Sequence, residues 1–366
     1  MPRPTPCAAL LLLPLALASC GGSSASDEPL VDPDAGALDD ASLSDASDDA
    51  TVDDAATVDA TPDATVDAPP VTQVSDPTKV GPFAYAEFEA TTKVAATNNN
   101  VTMHCAFPTA GPVPAPWPLV LFAHGFQIAA SAYNVYVQHL ATYGYVACTA
   151  DYNAGFIGVS HVKSALELSG AIDWALSAAI PPALIGKIDA SRIGMSGHSL
   201  GGKLSIMAAK SDPRIKASLT LDPVDAATFC NPTDCPDATS MLPLGIPTGF
   251  LGETTDQAAG FGGQACAPTA DNFQTFFAAA GSPSLQVTVN GANHISFVPN
   301  TANCLTCGFC QAATATPASV VALSKGYLVA FYQRWLRGDQ AWETWLTGPD
   351  AIATWVTPGA ATYAVK

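Results

Sequence analysis

The chain has 366 residues, of which 48% are hydrophobic and 13% are charged, and its formal net charge is −18. Residues 27–70 contain thirteen Asp and one Glu but no Lys or Arg, so the rest of the chain has a net charge of only −4. Because this balance provides no basic surface that would attract phosphate groups, we expect no nucleic-acid partner.

The first twenty residues have the features of an export signal. Their apolar stretch, from Cys7 to Leu17, is too short to span a bilayer. The small residues before Cys20 resemble a bacterial lipobox, in which that cysteine becomes the lipidated first residue of the mature chain; a plain cleaved signal is the alternative. We expect residues 1–20 to be a lipoprotein signal peptide, with the protein attached to a membrane through Cys20. Gly21 after the cysteine resembles the signal for retention at the outer membrane or cell surface of a Gram-negative-type bacterium.

Residues 21–70 consist mainly of Asp, Ala, Thr, Ser, Pro and Val and contain no aromatic residue. Such a segment cannot bury enough apolar surface to offset the loss of chain entropy on folding, so we expect a disordered acidic tether. The Asp spacing lacks the turn glycine and the bidentate Glu of an EF-hand calcium loop. The remaining residues, 71–366, are enough for one large domain.

The cysteines of this domain agree with export. Their number is even, which in an exported chain favours disulfides. The eight are Cys105, Cys148, Cys230, Cys235, Cys266, Cys304, Cys307 and Cys310. The last three form a C-x2-C-x2-C run, but three thiols with no later histidine do not make a complete zinc site. We therefore predict neither a metal nor a cofactor.

Alternating strand and helix patterns predict an α/β domain with a mostly parallel central sheet and helices on both faces. Strands are predicted at 118–123, 145–150, 217–221, 248–251 and 285–289, with a further strand entering the turn that follows Arg192. Helices are predicted at 131–143, 162–179 and 319–336.

The segment 197–202, Gly-His-Ser-Leu-Gly-Gly, fits the G-x-S-x-G nucleophile elbow between a strand and a helix. The flanking glycines keep strand and helix from clashing in the sharp turn, so that the serine hydroxyl projects above the sheet. Ser199 is therefore the predicted nucleophile. A plain glycine-rich turn is the alternative interpretation.

A serine hydroxyl needs a base to remove its proton. In α/β folds with a nucleophile elbow, the catalytic residues follow one another along the chain in the order serine, acid, histidine. Five of the six histidines of this chain precede Ser199. The predicted base is therefore His294, in a loop just after a predicted strand.

Two aspartates fit the position of the acid. Asp222 directly ends an apolar strand, so we expect it to be buried and to need a partner such as His294. Asp256 follows the polar stretch 252–255, and we expect it to lie in an exposed loop. We favour Asp222 and keep Asp256 as the alternative.

An oxyanion hole needs two backbone N–H donors. We predict the N–H of Leu200, directly after the nucleophile, and that of Phe126, in the loop after the strand at 118–123. His124 is expected to support this loop structurally.

At these positions the chain resembles the chlorophyllase family of α/β-hydrolases over about residues 100–340. The segments that carry the resemblance are 118–126, 197–202, 221–224 and 266–268, with Asn272, Phe273 and Phe276. The resemblance implies a Ser-Asp-His triad whose acid is Asp222. The segments 188–192, 291–294 and 331–339 resemble bacterial cutinase-type polyester hydrolases, which implies an acid at the position of Asp256.

These observations predict a serine carboxylic-ester hydrolase that acts through an acyl-enzyme on bulky or apolar esters. About 24 residues separate Asp222 from Ile246, which leaves no room for a large lid. We expect a monomer whose partners are an ester substrate and the membrane. The alternatives are a catalytically silent binding protein on the same scaffold, or a lipase or peptidase of this fold.

Overall fold

A mixed sheet carries the loops in which the predicted site residues lie. The computed structural model describes residues 74–154, 159–226, 230–259, 265–302, 304 and 307–366; the predicted signal peptide, Cys20 and the tether at 21–70 lie outside them. The strands are β1 (Ala84–Lys93), β2 (Asn100–Ala110), β3 (Trp117–Ala123), β4 (Val146–Asp151), β5 (Ile188–His198), β6 (Ile215–Leu221), β7 (Thr248–Glu253), β8 (Ser284–Val289) and β9 (Ala361–Val365).

The strand order, within the described residues, is β1-β2-β4-β3-β5-β6-β7-β8-β9. All neighbours from β4 to β8 are parallel, whereas β1, β2 and β9 pair antiparallel at the two edges. This mostly parallel sheet confirms the predicted α/β-hydrolase fold. In a parallel sheet the carboxyl ends of the strands lie at one edge, so the loops after β3, β5, β6, β7 and β8 meet there.

Helices cover both faces of the sheet. They are α1 (Asn134–Ala141), α2 (His161–Ala175), α3 (Leu200–Ser211), α4 (Phe273–Ala279), α5 (Pro317–Trp335) and the short α6 (Pro349–Ala351), which continues as a π-helical turn at Ile352–Val356. Shorter 3-10 turns lie at Ala130–Tyr133, Pro182–Leu184, Thr239–Met241, His294–Phe297 and Gln340–Trp345.

The burial of β3 on both faces of the sheet explains why its sequence is a continuous apolar run. Val120 and Phe122 pack into the cluster that contains α1 and α5, whereas Leu119 and Leu121 pack into the cluster that contains α2, α3 and α4. Every residue of the strand is buried. A strand covered on both faces has no polar side, and its pattern is therefore continuous rather than alternating.

Three strands and two helices, α4 and the short α6, were not predicted. The edge strands β1 and β9 leave most of their residues exposed or half-buried, so their sequences carry no strong apolar signal. The apolar sequence pattern also failed to predict the antiparallel β2 and the seven-residue α4. The predicted helix at 131–143 begins as a 3-10 turn and becomes α1 only at Asn134.

All eight cysteines of the domain form disulfides. The pairs are Cys105–Cys148, Cys230–Cys235, Cys266–Cys310 and Cys304–Cys307. The C-x2-C-x2-C run therefore contributes its sulfurs to two disulfides, and such a set of bridges is typical of exported proteins. Among the helices of the described residues, none has the length and apolar character that a membrane span requires.

Removing residues 1–70 should leave a folded domain, because residues 1–20 are the predicted signal peptide and residues 21–70 carry too little apolar surface to pack on the core. The residues that the structure describes, from 74 to 366, belong to one compact unit. Thermal denaturation followed by circular dichroism should give the same Tm for residues 71–366 as for residues 21–366. Aggregation of the shorter chain, or a much lower Tm, would show that the acidic segment contributes to the fold.

Candidate active site

The turn between β5 and α3 holds Ser199 in a strained backbone conformation, with φ 57° and ψ −124°. A Cβ atom added at Gly197 would lie 2.4 Å from the backbone of Gly201, and one added at Gly201 would lie 2.2 Å from the carbonyl oxygen of Ala123. Both positions therefore require glycine, and the expected steric role of the two motif glycines is confirmed.

A continuous line of hydrogen bonds joins three of the predicted site residues. The Oγ of Ser199 lies 2.8 Å from His294 Nε2, and His294 Nδ1 lies 2.7 Å from Asp222 Oδ2. His294 begins the 3-10 turn after β8, whose N-terminus is capped by Asn293. With its Nδ1–H donating to Asp222, the imidazole presents the lone pair of Nε2 to the serine hydroxyl.

Burial influences the protonation states of the residues in this line of hydrogen bonds. It lowers the pKa of His294 to about 4, so that the imidazole is neutral at pH 7 and can accept a proton. Burial and the nearby charge of Asp256 raise the pKa of Asp222. The carboxylate form of Asp222 therefore depends on the hydrogen bond from His294.

The expectation that Asp256 is exposed is wrong. Its side chain is fully buried, and its Oδ2 accepts a 3.3 Å hydrogen bond from the backbone N–H of His294. The reason is that β7 continues two residues beyond the predicted end, through Glu253, and the next turn is bound to the histidine loop by Thr255 N–H donating to the Ala292 carbonyl at 3.2 Å. Asp222 contacts the ring of His294, whereas Asp256 contacts its backbone.

Glu253 completes a buried group of three carboxyl side chains with Asp222 and Asp256, although its sequence context predicts only a polar stretch at 252–255. Burial and the charge of Asp222 raise the pKa of Glu253 to about 9. Its Oε2 accepts hydrogen bonds from the backbone N–H groups of Thr255 and Asp256. Glu253 is therefore neutral at pH 7, which limits the negative charge behind His294.

The predicted oxyanion residues lie beside Ser199. Phe126, Leu200 and Ser199 line one cavity of about 210 Å³ together with His161, Val224 and Ala226. Leu200 is the first residue of α3, where a backbone N–H has no carbonyl of the preceding turn to bind. His124 is buried, and its ring nitrogens contact the carbonyl groups of Gly125 and Tyr152, in agreement with a structural role.

Two residues that sequence reasoning missed connect the oxyanion loop to the histidine loop. The hydroxyl of Tyr133 accepts from Gly125 N–H at 3.2 Å and lies 2.8 Å from His198 Nδ1. The other ring nitrogen of His198 lies 2.9 Å from the carbonyl oxygen of His294. Since the elbow pattern accepts any residue at position 198, the sequence contains no signal for this bridge.

A buried ion pair holds the loop after β6 against α3. Lys203 Nζ lies 2.6 Å from Asp225 Oδ1, and both side chains are buried. The other oxygen of Asp225 accepts the backbone N–H groups of Ala238 and Thr239. These contacts position the loop that begins with Asp222.

A group of possible metal ligands in the described residues is formed by Asp256, Cys266 and Cys310. Both sulfurs belong to the same disulfide, so neither can act as a thiolate ligand.

Comparison with known proteins agrees with this geometry. The sequence model of the family described as Chlorophyllase matches residues 75–351, a range that contains Ser199, Asp222 and His294. A similar protein is the bis(hydroxyethyl) terephthalate hydrolase of Streptomyces coelicolor, which is 28% identical over 188 residues. The match covers 50% of this chain and 52% of the relative, so the chain spans about half the length of the curated relative that it matches.

Substitution of the two aspartates should separate their roles. Asp222→Asn should lower kcat by roughly 10³- to 10⁴-fold, because an amide favours the wrong imidazole tautomer and cannot stabilise the cation. Asp256→Asn should cost less than about 10-fold, since an amide oxygen can still accept the backbone N–H of His294. Kinetics on a p-nitrophenyl ester measure both effects, and Tm values of the variants serve as the control. The reverse ranking at matched Tm would make Asp256 the acid.

Proposed function

This chain belongs to the chlorophyllase family, and we propose that it is a serine carboxylic-ester hydrolase that acts through an acyl-enzyme. The observation that carries the proposal is the hydrogen-bonded line from Asp222 through His294 to Ser199, with distances of 2.7 and 2.8 Å. Nucleophile, base and orienting acid are thus within the reach that acyl transfer requires.

In the proposed reaction, the Oγ of Ser199 attacks the ester carbonyl while His294 Nε2 takes the hydroxyl proton. The tetrahedral oxyanion is stabilised by the backbone N–H groups of Leu200 and Phe126. His294 then gives the proton to the leaving alcohol, which leaves an acyl group on Ser199. Water, activated by the same imidazole, hydrolyses this acyl-enzyme, while Asp222 stabilises the imidazolium at each step.

The substrate class that we propose is bulky or apolar esters. The cavity beside Ser199 has largely hydrocarbon walls, to which Phe126, Leu200 and Val224 contribute. Phe126 remains 39% exposed at its rim. The relative from Streptomyces coelicolor is named for the hydrolysis of an aromatic diester, which agrees with a site for esters of this kind.

For the cellular setting we propose export, anchoring through a lipid on Cys20, and a monomer held away from the membrane by residues 21–70. The support is the lipobox-like run before Cys20, the acidic composition of the following segment and the four disulfides of the domain. No nucleic-acid partner and no cofactor enter this proposal.

Ser199→Ala and His294→Ala should each reduce ester turnover by roughly 10⁴-fold or more, because nucleophile and base act as a unit. Hydrolysis of p-nitrophenyl butyrate measures the loss, and unchanged Tm values exclude unfolding as its cause. A fluorophosphonate should label the wild-type chain and fail to label Ser199→Ala. Near-native turnover in either variant would rule out the mechanism, and a wild-type chain without label or turnover would indicate a silent binding protein.

The pH dependence should follow the protonation of His294. A protonated imidazole cannot accept the proton of Ser199, so activity should be lost as the pH falls through the pKa of His294, which burial lowers to about 4. We expect kcat/KM to stay level from neutral pH until close to this value and then to decrease by about tenfold per pH unit. The control is recovery of full activity after return to neutral pH. An acidic limb centred above the ordinary histidine pKa of about 6.5 would contradict the effect of burial.

A further inference from the structure

The cavity beside Ser199 contains a polar side chain that the proposed mechanism does not use. His161 is the first residue of α2, directly after the helix cap Ser160. It lines the same cavity of about 210 Å³ as Ser199 and is only 7% exposed. Its Nδ1 is buried and has no hydrogen-bond partner in the part of the chain that the structure describes.

An unpaired imidazole nitrogen in this position destabilises the empty site. A buried polar atom without a hydrogen bond costs free energy, and native proteins leave few of them unsatisfied. A ligand that supplies the missing hydrogen bond recovers this cost on binding. Since the ring that carries this nitrogen lines the cavity, a polar group on the occupant is the partner that we infer for the ring.

The environment of His161 determines which form of the ring a ligand meets. Burial, with the positive charge of Lys203 added to it, lowers the pKa of His161 to about 4. The ring is therefore neutral at pH 7 and carries one N–H donor and one acceptor nitrogen. Carbonyl, ether and hydroxyl oxygens match such a ring, whereas a carboxylate would meet no positive charge on it.

The other walls of the cavity offer little competing polarity. Among the described residues that line it, apart from Ser199 and His161, the side chains are the hydrocarbon groups of Phe126, Leu200, Val224 and Ala226. In ligand sites of this kind, a small number of polar groups among apolar walls fixes orientation and specificity. Within the described part of its lining, His161 is the polar side chain that the proposed mechanism leaves free for this purpose.

We propose that His161 is a specificity-determining residue, which hydrogen-bonds an oxygen function of the ester substrate away from the scissile bond. The preferred substrates are then esters that carry a second ester, ether or hydroxyl oxygen, such as diesters, rather than esters with purely hydrocarbon chains. This inference rests on the proposed esterase function and adds a substrate class to it.

Two matched pairs of esters test the preference on both sides of the scissile bond. On the acyl side, p-nitrophenyl methyl succinate is compared with p-nitrophenyl hexanoate, whose acyl chain has the same length. On the alcohol side, 2-methoxyethyl butyrate is compared with butyl butyrate. The measured quantity is the ratio of kcat/KM for the oxygenated ester to kcat/KM for the hydrocarbon ester. Differences in intrinsic reactivity cancel when this ratio is compared between variant and wild type.

The full-length chain is tested with His161→Leu, which removes the hydrogen-bonding group, and with His161→Gln, which keeps one. In at least one pair, His161→Leu should lower the ratio by about 3- to 10-fold. This is the factor that corresponds to the net free energy of one neutral hydrogen bond. His161→Gln should keep the ratio within about 2-fold of wild type. Val224→Ala changes the volume of the same cavity without removing a polar atom, so its ratio should not change.

A residue that only fills space would change both esters of a pair equally. An unchanged ratio for His161→Leu in both pairs therefore overturns the inference while the esterase function stands. If this variant has a low Tm, His161→Phe, which keeps a ring of similar size, replaces it with the same expected loss. A wild-type chain that hydrolyses none of the four esters overturns the proposed function itself.

Discussion

The close approach of β3, β5 and α3 at the elbow is the constraint on which the site depends. A methyl group at Gly201 would lie 2.2 Å from the carbonyl oxygen of Ala123, so no larger residue fits between α3 and β3. This packing holds Ser199 at φ 57° and turns its hydroxyl toward the loops of the neighbouring strands. A Cβ at Gly202 would lie 2.8 Å from Pro223, so the loop that contains Asp222 can also approach the elbow closely.

The electrostatics of the site follow from burying three carboxyl groups behind one histidine. Each group has a different means of offsetting the cost of burial. Asp222 accepts from the ring of His294, Asp256 accepts from its backbone N–H, and Glu253 keeps its proton. In addition, His198 contacts the carbonyl oxygen of His294, and the two rings are tilted by 36° with centroids 4.5 Å apart. The histidine loop is thus held by two sets of contacts, which limits the reorganisation that the proposed proton transfer requires.

The predictable part of the fold is the part with the strongest burial. The strand β3 carries a continuous apolar run because helices cover both of its faces, and the sequence therefore reveals it. The edge strands β1 and β9 are partly exposed, and β9 is stabilised by pairing with β8, which lies far earlier in the chain. Local sequence patterns cannot detect such pairing, because the partner is absent from the window.

The sequence by itself determined the fold class and two site positions, since the elbow motif has steric requirements that local residues satisfy and the chain order left His294 as the candidate base. Only the tertiary structure decided that Asp256 is buried, that His198 reaches the histidine loop and that His161 lines the cavity. The physical reason is that burial and hydrogen bonding of a side chain depend on the segments that fold over it, and these segments lie far away in the sequence. His198 and His294 are 96 residues apart, and their contact exists only because parallel strands bring their carboxyl ends to one edge of the sheet.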